Sequence, residues 1–149
     1  MCRALYIASD KPLPLIEWNE AEPGFYVLEL QENEEIVRKQ FMLPYVVYAG
    51  SFEGCSCGFV YDEEPIENDE YEQQYDAQAR ESVRKLGAYI LSIAQDASVE
   101  IFACWEGEQG QEPSKRLIVD GTFFEGTEFG FEDVTHLTVN AGRYPNSHL

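Results

Sequence analysis

The sequence predicts an α+β fold: a single domain with a mixed β-sheet of five or six strands, one long amphipathic helix (about 69–96) and one short helix (about 34–41) packed on it. Three observations predict it. First, Tyr75, Ala79, Val83, Leu86, Ile90, Ile93 and Ala97 recur at steps of three or four, the mark of a helix with one apolar stripe. Second, runs rich in β-branched and aromatic residues flank this helix, each bounded by proline, glycine or clustered polar residues. Third, 149 residues with 44% hydrophobic content suit one core, and no repeat or Gly/Ser linker divides the chain.

The elements follow in order. Arg3 to Ala8 reads as a first strand, ended by Lys11-Pro12-Leu13-Pro14. Phe25 to Leu30, after Pro23-Gly24, is the second. Asn33 is placed to cap the short helix, with Glu34 and Glu35 in its first turn and Pro44 beyond its end. Tyr45 to Ala49 is apolar throughout, so it is expected inside the sheet. Asp69 and Glu72 have capping-box spacing at the start of the long helix, and Asp76–Arg80 and Glu81–Lys85 are charge pairs of the favourable order. A helix apolar on one side only should lie across a sheet. Val99 to Trp105 is the fourth strand, and a strand–helix–strand order predicts a right-handed crossover to a parallel neighbour. Arg116 to Asp120 is expected to return antiparallel, Val134 to Val139 is the last strand, and 141–149 reads as a frayed tail.

Charge narrows the partners. Twenty-eight Asp and Glu against 10 Lys and Arg give a formal net charge of −18. Such a field repels phosphate backbones and anionic lipid, which argues against nucleic acid and membrane surfaces; it would attract and steer a basic protein, although solubility alone is the first reading of such a charge. The first eight residues contain no long apolar region and no cleavage pattern, and nothing approaches a membrane-spanning length. With four cysteines, this predicts a cytoplasmic protein.

The acids concentrate. From Gln40 to Ala79 there is no Lys or Arg, and within it Asp62, Glu63, Glu64, Glu67, Asp69, Glu70 and Glu72 surround Tyr71. Pro65 and the missing central glycine argue against an EF-hand. Carboxylates interleaved with Tyr61, Tyr71 and Tyr75 supply charge and aromatic anchors for a basic partner, as in acidic inhibitors and immunity proteins as a class. Phe123 to Phe131 holds four phenylalanines in nine residues, read as a cover for one end of the core.

The other unusual segment is Gly50-Ser51-Phe52-Glu53-Gly54-Cys55-Ser56-Cys57-Gly58-Phe59, which follows a buried strand. Cys55 and Cys57 have three readings: packing in a tight loop, a redox pair, or ligands of zinc together with Cys2 and Cys104. A single C-x-C without a second closely spaced pair favours packing and no cofactor. The opening Met1-Cys2-Arg3 is similar to the start of class II glutamine amidotransferase domains, whose mature chains begin with a catalytic cysteine; the likeness covers three residues and implies Cys2 as nucleophile. A triad of Cys55 or Cys57 with His136 is the other catalytic arrangement available, while His148 sits in the tail. On an extended strand His136 faces away from Leu137 and Val139, which predicts a solvent or rim position. Phosphate-loop, dinucleotide, serine-hydrolase and zincin motifs are missing from the sequence.

The leading expectation is therefore a non-catalytic acidic binding protein. A thiol or zinc protein built on Cys55 and Cys57 comes second, and an N-terminal-cysteine amidohydrolase third.

Overall fold

The structure, a computed structural model, describes residues 2–60, 69–124, 131 and 133–140. Six strands, β1 (Arg3–Ser9), β2 (Tyr26–Glu29), β3 (Tyr45–Gly50), β4 (Val99–Trp105), β5 (Lys115–Val119) and β6 (Thr135–Val139), form one mixed sheet in the order β2-β3-β1-β4-β6-β5. Helix α1 (Glu70–Ala94) is the long helix, and the short one is a 3-10 helix over Glu32–Gln40. The α+β class, the single sheet and the two helices are as the sequence predicts.

Two details differ. β4 does not pair in parallel with β3: β1 lies between them, antiparallel to both, with Leu5 opposite Ala49 on one side and Ala103 on the other. The chain's first strand thus occupies the middle of the sheet, and among the described residues the only parallel pair is β5 with β6. The short helix is also capped by Gln31 rather than Asn33. The Gln31 N–H donates to the Glu34 carboxylate at 2.9 Å, and its carbonyl accepts from the Glu34 N–H.

Both faces of the sheet are covered. On one face, α1 lays Val83, Leu86, Ile90 and Ala94 against Leu5, Ile7, Val27, Val47, Ile101 and Leu137. Leu86 and Ile90 are fully buried, each stabilising the fold by about 1.5–3 kcal/mol. The helix begins where Asp69 accepts the Glu72 N–H at 3.1 Å, a cap that stabilises by about 1 kcal/mol. Asp76–Arg80 and Glu81–Lys85 pair as the spacing predicts, the first from a buried Asp76 and the second at the surface.

On the opposite face, Ala4, Tyr6, Ala8, Phe102 and Cys104 pack with Val37, Val46 and Val134, under Phe41 and Leu43 from the end of the 3-10 helix. This second core overturns the expectation for His136. The side chain does point away from Leu137, but it points into a covered face and is buried against Phe41 and Glu100. Alternation along a strand assigns a side chain to a face; whether that face is wet depends on what packs there. Phe123 and Phe131 stack on each other at 6.3 Å beside the first core, while Phe129 and the tail 141–149 with His148 lie outside the described residues.

Candidate functional site

The loop after β3 builds an unusual feature at the open end of β1. β3 pairs with β1 only from Leu5 to Ser9, because the chain turns away after Gly50. The β1 N–H groups beyond that point need other acceptors, since unpaired buried donors are costly. They find them in the next segment: the Leu5 N–H donates to Ser56 Oγ at 3.0 Å, and the Arg3 N–H donates to Cys57 Sγ at 3.3 Å. A short 3-10 turn, Ser56–Phe59, thus substitutes for the missing part of the strand ladder.

Two buried serines hold this turn. Ser51 Oγ donates to the Cys55 carbonyl at 2.6 Å and accepts from the Gly58 N–H at 2.9 Å. Ser56 Oγ donates to the Ala49 carbonyl at 2.7 Å. Gly54 takes φ +84°, a left-handed conformation that glycine adopts without strain, and a side chain at Gly58 would collide with Ser51. Phe59 then anchors the turn in the first core.

The consequence is a convergence of thiols. The sulfur atoms of Cys2, Cys55 and Cys57 all lie within 4.8 Å of one another. Cys2 is exposed, the other two are half-buried, and all three are free thiols. The sulfurs of Cys55 and Cys57 also accept backbone N–H groups, of Cys57 at 3.5 Å and of Arg3 at 3.3 Å respectively, and at Cys55 that bond favours thiolate charge. Working against it, burial pushes the free Cys55 thiol up to about 12. Beside the cluster, the Arg3 guanidinium lies 4.5 Å from the Trp105 ring centroid and donates to the Phe131 carbonyl at 2.6 Å.

Three thiolates at this spacing are a near-complete ligand set for a thiophilic ion. A tetrahedral zinc with arms of about 2.3 Å places its sulfurs about 3.8 Å apart. The sulfurs, within 4.8 Å of one another, would have to draw in by up to about 1 Å to reach that.

The other sequence candidates fall elsewhere. Cys104 is buried in the second core on β4, outside the three-sulfur group, and desolvation pushes its thiol up to about 12. His136 is engaged by Glu100 at 3.3 Å, and none of its described contacts reaches Cys55 or Cys57. Of the acidic segment, Asp62, Glu63, Glu64 and Glu67 lie outside the described residues, as does Tyr61. Asp69 is the α1 cap, Glu70 and Tyr71 are exposed, and Glu72 is half-buried. Tyr75 packs edge-on against Phe52 at 5.0 Å, so it braces the cysteine loop.

Sequence reasoning singled out the loop but not its braces. Ser51 and Ser56 carry no motif, and their only signal is a run of small residues directly after a buried strand. Comparison with protein-family models, curated proteins and solved structures found no match. No helix among the described residues is long and apolar enough to cross a membrane.

Proposed function

We propose that this chain is a metal-binding protein whose Cys2, Cys55 and Cys57 thiolates hold one thiophilic ion, Zn²⁺ or the softer Cu(I). The observation that carries the reading is the approach of three sulfurs, from the head of β1 and the loop after β3, to within 4.8 Å of one another. The sulfurs of Cys55 and Cys57 also serve as acceptors for backbone N–H groups, but that role does not call for exposed Cys2 to bring a third thiol beside them. Three protein ligands leave a fourth position for water or an exogenous donor, the pattern of sites that exchange or use a metal.

The test is stoichiometry. Protein reduced and handled anaerobically is expected to take up one equivalent of Zn²⁺, and Co²⁺ in its place is expected to give a sulfur-to-metal charge-transfer band. Uptake should protect three thiols from alkylation and leave Cys104 unaffected by the metal. No uptake of either ion, or uptake that survives loss of all three cysteines, would refute the assignment.

A second reading is an acidic docking face for a basic protein. Tyr71, which is 77% exposed on the first turn of α1 beside exposed Glu70, favours it. Association with cationic proteins should weaken steeply with salt and weaken further in Tyr71→Ala; association that ignores both would remove this reading.

A further inference from the structure

On the side of the cysteine loop marked by Gly54 lies a cavity of about 400 Å³, within the size range of small-molecule sites. Its wall is aromatic. Trp18 meets Tyr26 edge-to-face at 4.9 Å, and Tyr26 meets Tyr48 at 6.1 Å. Its rim is anionic. Glu29, Glu34 and Glu106 line it, with no Lys, Arg or His among the lining residues.

We propose that this cavity binds a small alkylammonium cation, gripped by the faces of Trp18, Tyr26 and Tyr48 and neutralised by Glu34 and Glu106. Aromatic faces carry the negative end of the ring quadrupole and attract a cation within about 6 Å of their centroids, and the attraction grows where water is excluded. Carboxylates at the mouth add the net charge. An anionic ligand would be repelled by the same groups, and a neutral one would leave the carboxylates unmatched.

The site is preorganised, which reduces the cost of binding. Tyr26 lies over Gly50 so closely that a Cβ there would collide with its ring. Tyr48 is held edge-on by Tyr6 at 5.6 Å. The two carboxylates are tied together through neutral groups: Tyr6 donates its hydroxyl to Glu34 at 2.7 Å, and buried Gln109 donates to the Tyr6 oxygen at 3.1 Å and to Glu106 at 2.7 Å. A pair of carboxylates joined this way is oriented without being neutralised, unlike Glu35 and Glu81, which pair with arginines. Desolvation raises the Glu106 carboxyl, the Gln109 hydrogen bond opposes it, and the charge of Glu34 adds to the rise.

The experiment is calorimetric titration of the whole chain with choline and, separately, with putrescine, with the Trp18 indole N–H followed by NMR. Binding is expected for at least one probe in the submillimolar range, with a shift of the Trp18 signal. Trp18→Ala and Glu106→Gln should each weaken it about tenfold while leaving the thermal melt in place. A choline preference assigns a quaternary head, and a putrescine preference assigns a primary diamine. The proposal is overturned if neither probe binds at 10 times the submillimolar range, or if binding is unweakened in both variants, which would mean that the chain's overall charge suffices. Its failure leaves the thiol site untouched, since the cavity uses none of the three sulfurs.

Discussion

Cys57→Ser is expected to lower the affinity for Zn²⁺ by more than about a hundredfold, because loss of even an outer partner of a metal ligand costs about 10–100-fold. The fold should survive the change. A serine hydroxyl can still accept the Arg3 N–H that Cys57 Sγ accepts at 3.3 Å, so the thermal melt of the metal-free variant should match the parent. Cys104→Ser is the control, since that thiol packs in the second core away from the other three. The sign of the pH effect follows from the chemistry of the ligand. Metal binds thiolate, and the free Cys55 thiol is pushed up to about 12, so at neutral pH binding must expel its proton. Affinity therefore falls about tenfold for each unit of pH lost through this group alone. Competition against a chelator of known affinity, at several pH values between 6 and 8, measures both effects. A pH-independent affinity, or equal affinity in the Cys57 and Cys104 variants, would remove the thiolate site.

That site was only half legible in the sequence, and the reason is physical. The Gly50–Phe59 loop stands out because small residues and two thiols follow an apolar strand. That Cys2 joins them depends on β1 lying beside β3, a pairing that brings Arg3 to Cys57 across 54 positions. Local pattern reports what a segment is and not which segment it meets. The same limit explains the other differences. The stripe from Tyr75 to Ala97 identified α1 and its buried side, and the β-rich runs located all six strands to within a residue or two. The order of the strands is not readable from local pattern, which points to β3 and β4 as neighbours where β1 separates them. The aromatic–acidic cavity gave no signal at all: Trp18 sits in an irregular segment, Tyr26 and Tyr48 look like ordinary strand residues, and Glu106 lies in a turn.

Glu100→Ala is expected to be the most destabilising single change outside the apolar core, by about 3–5 kcal/mol. Glu100 is buried, and its carboxylate works as a hub. It accepts the Met42 N–H at 3.0 Å, the Leu43 N–H at 3.3 Å, and a contact from His136 Nε2 at 3.3 Å. These donors fasten the end of the 3-10 helix segment to β4 and thereby close the second core. Alanine leaves two backbone donors and a buried imidazole without their acceptor, which costs more than the bonds themselves contributed. For a chain of this size the melting temperature should fall by about 2–4 °C per kcal/mol. Glu100→Gln keeps one acceptor oxygen and should lose less. It also isolates the charge. Burial alone would raise the Glu100 carboxyl, but the His136 contact and the Met42 and Leu43 N–H groups outweigh it and bring it below its ordinary 4.5. A carboxyl lowered by folding contributes stability above its unfolded value, and that contribution is lost as pH falls through the folded one. The parent should therefore lose stability faster than Glu100→Gln as pH drops below about 4.5, so that the two converge in acid. Urea unfolding at pH 7, 5 and 3.5 measures the gap at each point. A gap that stays constant down to pH 3.5 would mean that the carboxylate's charge does not hold the second core closed.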